Sequence, residues 1–457
     1  MKFATSVRTL VCICAASAPL TAQLTLAQAV EDALHNYPSV RVSQEQISAA
    51  AAGIRLARTA YLPRVDAVAQ VNRATRNNVF GLLLPTQGVI PSMSGPVIGS
   101  NNLGTAWGSA VGALVTWEPF DFGLRSANVA TAAAARAQTE AAFKRTQFDV
   151  AVAAADAYLT LAAAQETVRA AQAGVDRGDT ILRTIRALVN AELRPGADGS
   201  RAEAELAAAR TQLIQAEQAT DVARATVSQF VGMEPARIAI SAPGLLLLPQ
   251  EQNAPPPDTA AHPLALEQNA AIEQARAQLY ALERSYFPRF YLQGAAYARG
   301  TGAETDGKIL GGLNGLAPTV QDYALGFSVS FPVADLPAVH AREAVQSAEV
   351  RAQAARSQQI ATDLRAQWNV AVATVQGARR IAANTPVQVS AARAAAEQAT
   401  ARYKSGLGNI DDVAEAQRLL TQAEIDDALA RLGVWRGLLA VATAAGDIRP
   451  FVAEVGP

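Results

Sequence analysis

Residues 59–70 read TAYLPRVDAVAQ, and residues 284–295, at an offset of 284 − 59 = 225, read RSYFPRFYLQGA. Both stretches contain Tyr-x-Pro-Arg, preceded by helix-forming residues and followed by an alternation typical of a β-strand. Proline cannot donate a backbone hydrogen bond to a helix, and it disfavours helical geometry in the residue before it. The junction therefore predicts, at two places in one chain, the end of a helix and the start of a strand.

The repetition extends along most of the chain. The offset of 225 also aligns Pro38 with Pro263. At a smaller offset, VTWEPFDFG at 115–123 corresponds to VSFPVADLP at 329–337. The sequence thus predicts an internal two-fold repeat. We divide the chain into a signal peptide, a first repeat, a Pro-rich linker, a second repeat and a C-terminal tail, at 1–22, 23–243, 244–262, 263–446 and 447–457.

The first 22 residues have the features of a secretory signal peptide. Lys2 and Arg8 precede an apolar run that ends in small residues at Ala22, which is the order of a signal and its cleavage site. The only cysteines, Cys12 and Cys14, lie in this segment, so no thiol chemistry is expected in the mature chain. The protein is therefore predicted to leave the cytoplasm.

Two long segments favour helix. No proline occurs between Gly123 and Pro195, and 195 − 123 = 72 residues would span roughly 108 Å as a helix. The segment from Pro337 to Gly406 has 406 − 337 = 69 residues, which gives roughly 104 Å. Alanine fills most apolar positions, which favours close packing between helices. We predict long helical hairpins at about 123–231 and about 337–446, and shorter helices at 39–61 and 263–286.

Four segments are predicted as strands, at about 64–76, 104–118, 289–300 and 321–332. Trp107, Val111 and Trp117 share one face of the second, and Tyr323 and Phe327 share one face of the fourth. Strands of about ten residues with one apolar face and aromatic residues near the ends are typical of a membrane β-barrel. A soluble sheet covered by helices would show the same alternation, but the secretory signal and the aromatic ends favour the membrane.

Four strands cannot close such a barrel, because membrane barrels have at least about eight strands and an open edge in lipid leaves backbone groups without partners. Other copies of the chain must complete the sheet, and two or three copies are both possible. The loops at 77–102 and 301–320 are long, as exterior loops usually are, and the glycines near Gly311 indicate loop flexibility. At their other ends the strands meet helices at four prolines, the predicted barrel–tunnel junction: Pro63, Pro119, Pro288 and Pro332.

Over its mature length the chain resembles the TolC family of outer membrane factors. The resemblance rests on the repeat, the LPR and FPR junctions, the helix breaks NYPSV and AHPLA, and ARYKSGLGNIDDVAEAQRLL from Ala401. It implies an α+β membrane protein with four barrel strands per protomer. A homotrimer would then form a twelve-stranded barrel in the outer membrane, in contact with its lipids, and long helical hairpins would form a periplasmic tunnel. It also implies the exit duct of a tripartite efflux pump or type I secretion system, served by a periplasmic adaptor and an inner-membrane transporter.

The same resemblance implies a periplasmic gate at the hairpin tips. The family's gate tyrosine and aspartate correspond to Tyr403 and Asp198, whereas its gate arginine falls at Gly408. The family's acidic constriction corresponds to Asp412 and Glu415, whose i, i+3 spacing places them on one helix face. In a trimer, six such carboxylates would favour cations and bind divalent ions. The start of an ordinary solvated helix would carry the same acidic residues.

Adaptor contact in the family centres on Gly-Leu motifs in the turns of the two hairpins. The second turn keeps Gly406, Leu407 and Gly408. The first has Glu192, where glycine is usual in the family, followed by Leu193. The resemblance implies that these five residues contact the adaptor.

Other classes of protein find less support in the sequence. The balance of 39 basic and 40 acidic residues does not indicate a nucleic-acid groove. His35, His262 and His340 lack metal-ligand spacing and no nucleophile motif is present, so neither an enzyme nor a cofactor or metal is predicted. The alternative is a surface or periplasmic coiled-coil stalk or adhesin without transport activity. The sequence leaves open whether a duct would export drugs, metals or polypeptides, and which transporter it would serve.

Overall fold

The computed structural model of the protein describes residues 23–75, 104–240, 243–250, 256–304 and 308–456. The predicted signal peptide, the loop at 77–102 and the middle of the Pro-rich linker lie outside the described residues. The α-helices and strands follow in the order α1 (Leu26–Asn36), α2 (Pro38–Thr59), β1 (Arg64–Thr75), β2 (Thr105–Phe120), α3 (Leu124–Asn190), α4 (Gly196–Val231), α5 (Pro263–Arg284), β3 (Arg289–Thr301), β4 (Val320–Ser330), α6 (Leu336–Lys404), α7 (Ile410–Ala445) and α8 (Arg449–Val455).

Corresponding helices and strands of the two sequence repeats begin at equivalent residues. Helices α2 and α5 begin at Pro38 and Pro263, and strands β1 and β3 begin at Arg64 and Arg289, directly after the junction prolines. Helix α1 is an addition to the predicted elements. It begins at a capping box, in which Thr25 and Gln28 each bond the other's backbone N–H through their side chains.

The chain divides into two compact units that differ from the two sequence repeats. The helical unit comprises the described residues within Met1–Glu45, Ala141–Leu266 and Gln358–Pro457. The sheet unit comprises those within Gln46–Glu140 and Glu267–Ser357. Each unit therefore takes segments from both repeats, because the long helices α3 and α6 begin in the sheet unit and end in the helical unit.

The sheet unit contains one antiparallel meander in the order β1-β2-β3-β4. The β1–β2 register runs from Arg64 opposite Thr116 to Thr75 opposite Thr105. The β2–β3 ladder shifts register between Trp117 and Phe120, where one extra residue on β2 forms a bulge at Glu118 and Pro119. The proline thus occupies a position in which it need not donate a ladder hydrogen bond.

The core of the helical unit joins the first and the last described segments of the chain. The Leu24 N–H donates to the Ala239 carbonyl at 2.8 Å, and the hydroxyl of buried Tyr158 donates to the Leu24 carbonyl at 3.1 Å. Burial raises the pKa of Tyr158 to about 12, so this donor keeps its proton at physiological pH. The ring of Phe451 in α8 meets that of Trp435 edge-on, 6.3 Å between centroids. The described part of the predicted C-terminal tail, 447–457, thus contains the helix α8, which packs into this core.

The described part of the Pro-rich linker is also bound to the helices. Arg379 of α6 donates to the Pro249 and Gln250 carbonyls at 2.8 and 3.0 Å. Trp435 of α7 donates through Nε1 to the Leu247 carbonyl at 3.1 Å. By length and composition α7 is also the one described helix that could cross a membrane. Its Trp435, however, belongs to the buried core of the helical unit.

His262 connects the start of α5 to the end of α7. Its Nδ1 accepts from the Leu264 N–H at 3.1 Å, which leaves Nε2 to donate to the Thr443 carbonyl at 3.1 Å. The ring lies edge-on to Phe148, and a Cβ on Gly446 would come within 2.8 Å of it. Burial lowers the pKa of His262, which favours the neutral tautomer that can accept at Nδ1.

This histidine predicts a loss of stability in acid. Between the lowered folded pKa and the ordinary value of 6.5, the folded state binds fewer protons than the unfolded state. The stabilisation is therefore complete above about pH 6.5 and is lost as the pH falls through the folded pKa. We expect thermal unfolding in detergent to show a smaller fall in Tm from pH 7.5 to 5 for His262→Gln than for the parent.

The matched control is His340→Gln, because His340 is exposed on α6. It should keep the parent's pH dependence. Identical pH dependence of Tm in the parent and in His262→Gln would contradict the role given to His262.

Candidate functional site

The two faces of the sheet differ in chemistry. The register places one set of alternate positions on an apolar face that is largely exposed, including Val65, Val71, Val111, Val115, Trp117, Leu292, Tyr323, Leu325, Phe327 and Val329. The other set forms a polar face, including Arg64, Asp66, Gln70, Thr116, Gln293, Arg299, Asp322 and Ser328. Apolar side chains so exposed to water would be unfavourable over such an area, so this face is suited to contact lipid.

Tryptophans stand at the two ends of the apolar face. Trp107 and Trp117 lie 117 − 107 = 10 residues apart on β2, which is roughly 34 Å along an antiparallel strand. At a tilt of about 45° this distance matches the apolar band, about 25 Å tall, of membrane barrels. Arg73 lies over the ring of Trp107, 5.2 Å from its centroid, as suits a membrane–water boundary.

Ion pairs neutralise the polar face. Arg289 binds Glu118, which lies in the bulge of β2, through two hydrogen bonds of 2.8 and 2.9 Å. Arg299 pairs with Asp322 across β3 and β4 at 3.0 Å. The charges that the polar face would present to a lumen are thus largely paired within the chain.

The outer strands of the sheet have open edges. Among the described residues, β1 pairs only with β2, and β4 pairs only with β3. The free N–H and C=O groups of an edge cannot be hydrated in a bilayer. In lipid, β1 and β4 therefore need strands from other chains.

The four junction prolines lie at or near the places where strands meet helical segments. Pro63 and Pro288 immediately precede β1 and β3, Pro119 lies in the bulge of β2, and Pro332 precedes a 3-10 turn, Val333–Asp335, that leads into α6. The structure places these positions at one end of the sheet, and their role as a barrel–tunnel junction stays a prediction.

Asp121 and Arg125, which the sequence did not predict as functional residues, fix the junction before α3. The Asp121 carboxylate accepts from the N–H groups of Gly123 and Arg125 and pairs with the Arg125 guanidinium at 2.9 Å. Arg125 also lies over the ring of Tyr61, 4.8 Å from its centroid. Both charged side chains are less than one-tenth exposed. The Asp-x-x-x-Arg spacing was visible in the sequence, but its burial was not.

Aromatic rings gather beside the same junction. Phe122 lies 4.6 Å from Phe120, 5.5 Å from Phe287 and 6.0 Å from Phe290, measured between ring centroids. Phe120 and Phe122 are exposed. This aromatic cluster resembles the belt that membrane proteins place at the level of the lipid headgroups.

The turns at the two hairpin tips share one backbone motif. After α3, the Glu192 N–H bonds the Val189 carbonyl and the Leu193 N–H bonds the Leu188 carbonyl, both at 2.9 Å. After α6, Gly406 and Leu407 repeat the pattern on Tyr403 and Arg402, at 3.1 and 2.8 Å. This is the Schellman ending of a helix, in which the first residue past the cap is left-handed.

In this motif Gly406 and Glu192 occupy equivalent positions in the two turns. Gly406 has φ 81° and Glu192 has φ 60°, so the glutamate occupies a conformation that favours glycine. The leucines that follow, Leu193 and Leu407, are 69% and 73% exposed. Each tip therefore presents one leucine to solvent in the same local geometry.

Tyr403, Asp198 and Arg194 connect the two tips. The buried Tyr403 hydroxyl donates to the Asp198 carboxylate at 2.7 Å. Arg194 lies over the Tyr403 ring, 4.3 Å from its centroid, and donates to the Tyr403 carbonyl. Burial and the Asp198 carboxylate raise the pKa of Tyr403 to about 12, so the hydroxyl remains a donor at physiological pH. We call this set the tip latch.

The structure supplies an arginine to the latch from an unexpected place. The resemblance implies Tyr403 and Asp198 at the gate, and glycine stands at position 408, where the family's arginine falls. Arg194 reaches the tyrosine from the opposite hairpin. No local pattern identifies Arg194, because 403 − 194 = 209 residues separate it from its partner.

The two acidic residues Asp412 and Glu415 are exposed in the first turns of α7. The Asn409 side chain caps this helix by accepting from the Asp412 N–H at 2.8 Å. Glu415 pairs with Arg418 of the same helix at 2.6 Å. A single chain thus places both carboxylates on accessible surface near the tips.

Comparison with known proteins agrees with this geometry. The model of a family described as outer membrane efflux protein matches residues 29–233 and 260–447, one segment for each repeat. No curated protein gives a significant match.

Solved structures share the fold at low sequence identity. The outer-membrane channel OprN is 22% identical with a TM-score of 0.71, over 92% of this chain and 89% of that chain. CmeC of Campylobacter jejuni is 14% identical with a TM-score of 0.72, over 92% and 85%. MtrE of Neisseria gonorrhoeae, in its open state, is 19% identical with a TM-score of 0.67, over 92% and 89%.

The matched turns predict opposite effects of substitution at equivalent positions. Glu192→Gly removes a left-handed non-glycine residue, and we expect it to stabilise the first tip by up to about 1 kcal/mol. Gly406→Ala introduces such a residue and should destabilise the second tip by about 1 kcal/mol or more. Hydrogen exchange at the Leu193 and Leu407 amides would measure both effects. Faster exchange at Leu193 in Glu192→Gly would contradict the assignment.

Proposed function

The chain belongs to the outer membrane efflux protein family, and we propose that three copies of it form the exit duct of a tripartite efflux pump or type I secretion system. The observation that carries the proposal is the four-stranded sheet with an apolar face, a polar face and two open edges. Membership of an efflux family also argues against the alternative of a stalk or adhesin, and against an enzyme.

The sheet supports a barrel shared between copies. Pairing β4 of one copy with β1 of the next satisfies both edges, and a closed ring exposes no edge to lipid. Three copies give twelve strands, the number that the TolC resemblance implies. The apolar face then contacts outer membrane lipid, and the polar face with its Arg289–Glu118 and Arg299–Asp322 pairs lines the lumen.

The tips support a periplasmic entrance that opens and closes. In this proposal the tip latch holds the two hairpins of each protomer together in the closed state. Because Arg194 stacks on the ring and Asp198 accepts from the hydroxyl, Tyr403 is held from two sides. Opening requires the hairpins to separate, which breaks both contacts.

The exposed turn leucines support docking of a periplasmic adaptor. Leu193 and Leu407 present the same side chain from the same backbone motif, so one type of adaptor site could bind both. Glu192, Gly406 and Gly408 complete the predicted contact. A duct of this kind is passive, so an inner-membrane transporter would supply the energy for export.

Purified protein in detergent is expected to be a trimer that conducts ions in planar bilayers. Divalent cations should reduce the conductance, since Asp412 and Glu415 of three chains would meet at the entrance. Asp412→Ala combined with Glu415→Ala should relieve this block.

Asp411→Ala is the control for the block, because Asp411 is also exposed but pairs with Arg201 of α4 at 3.3 Å, whereas Glu415, among the described residues, pairs only within its own helix. This variant should remain sensitive to divalent ions. A monomer without conductance would overturn the proposal. If divalent cations still block the double variant, Asp412 and Glu415 do not form the site of the block.

The latch predicts variants with a leakier entrance. Tyr403→Phe keeps the ring but removes the bond to Asp198, and a bond to a charged group contributes about 1.5 kcal/mol or more. The ratio of closed to open channels should then fall about tenfold. Arg194→Ala should act in the same direction. Single-channel open probability measures both.

The control for the latch is Arg183→Ala, which removes an exposed arginine of α3 that pairs with Asp179 of its own helix. Its open probability should match that of the parent. Unchanged gating in Tyr403→Phe and Arg194→Ala would show that these contacts do not hold the entrance closed.

A further inference from the structure

The loop between β3 and β4 folds back against the sheet instead of continuing away from the strand ends. Its described part, residues 308–319, meets β2 and β3 near Trp107 and Gly302. From the sequence alone, the glycines of this region predict a flexible loop. Several of them instead allow a close approach between two stretches of backbone.

Three glycines make this contact possible. A Cβ on Gly315 would overlap the Trp107 carbonyl oxygen, and a Cβ on Gly300 would overlap the Ala317 carbonyl oxygen. A Cβ on Gly302 would crowd the Asn314 carbonyl. Gly315 also has φ 95°, a conformation that side chains rarely adopt. Only residues without side chains let the loop lie so near the sheet.

Backbone hydrogen bonds hold both ends of the loop. The Leu310 N–H donates to the Gly302 carbonyl at 2.7 Å, and the Thr319 N–H donates to the Arg299 carbonyl at 3.0 Å. Between them, the Asn314 side chain donates to the Gly311 carbonyl at 2.7 Å and closes a tight turn. The loop therefore has a defined position relative to β3.

That position is on the apolar face. Gly300 pairs with Ser109 in the β2–β3 ladder, and this pair continues the series Val111–Ala298 and Ala113–Ala296 on the same side of the sheet. The loop thus covers the apolar face at the end marked by Trp107. The polar face lies on the opposite side of the strands.

Leu313 lies in the turn of this loop and is 74% exposed. Its neighbour Asn314 lies against Gly302, whose N–H donates to the Trp107 carbonyl, so the leucine is close to the end of the apolar face. A leucine in this place would be unfavourable in water and would be covered by the chains of an adjoining lipid.

We propose that the loop 308–319 is a membrane-contacting flap, which lies on the lipid side of the barrel rim and places Leu313 among the acyl chains of the outer leaflet. The inference rests on the proposed function, because it needs the apolar face to meet lipid. Its support is continuity: the loop is fixed to the same face that carries Tyr323, Leu325 and Phe327. The flap would anchor the rim of the duct at a fixed depth.

Site-directed spin labelling tests the flap, since the two cysteines of the sequence, Cys12 and Cys14, lie in the predicted signal peptide. Leu313→Cys would be labelled with a nitroxide in trimers reconstituted into liposomes. Accessibility to oxygen, which concentrates in lipid, is compared with accessibility to a water-soluble nickel chelate. Tyr323→Cys on the apolar face is the lipid reference, and Ser328→Cys on the polar face is the water reference.

We expect the label at 313 to favour oxygen over nickel several-fold relative to the label at 328, and to resemble the label at 323. A label at 313 that behaves like the one at 328, with the references distinct, overturns the flap and leaves the barrel intact. References that do not differ from each other contradict the barrel, and with it the flap.

A second variant tests the glycine contact. Adding Gly315→Ala to Leu313→Cys should displace the loop, so the label at 313 should lose its preference for oxygen while the label at 323 keeps its own. An unchanged label at 313 would contradict the role of Gly315 in placing the flap.

Discussion

A four-stranded sheet with one apolar face has two edges whose N–H and C=O groups must find partners, and in a bilayer water cannot provide them. This requirement links most of the structure. In lipid, this requirement would make the chain depend on other copies of itself. Opposite the apolar face lies a polar face whose charges are paired, as in Arg289–Glu118. The need to pair every backbone group also limits where strands can end. The junction prolines lie at or near the places where the β-ladder gives way to helices, which satisfy their own backbone groups.

Features written in local sequence could be predicted. The start of β1 at Arg64 follows from Pro63, and the alternation around Trp107 and Trp117 gave the correct faces of β2. The duplication then transferred each assignment to the other half, as the start of β3 at Arg289 demonstrates. Helix α1 was missed although its capping box of Thr25 and Gln28 is local, because an eleven-residue helix has few periodic positions to signal it.

Features that depend on distant segments could not be predicted. Arg194 joins the latch across two hairpins, and His262 caps α5 while bonding the Thr443 carbonyl of α7. Gly315 lies in a segment whose glycine content predicts a mobile loop. Its close approach to Trp107 can be seen only when β2 and β3 are paired. The family resemblance supplied Tyr403 and Asp198. Glycine occupies position 408, where the family's arginine falls, so the resemblance could not identify the arginine that contacts Tyr403 in this chain.

The two hairpin turns have the same backbone but different residues at the left-handed position, Glu192 in one and Gly406 in the other. In a trimer, six turns would alternate around the entrance, so the ring would have sixfold symmetry in its backbone and only threefold symmetry in its charge. A partner that repeats six times would meet two kinds of neighbour. The internal repeat thus gives the two turns equivalent shapes, and the different charge at the left-handed position would let a docking partner distinguish two adjacent sites.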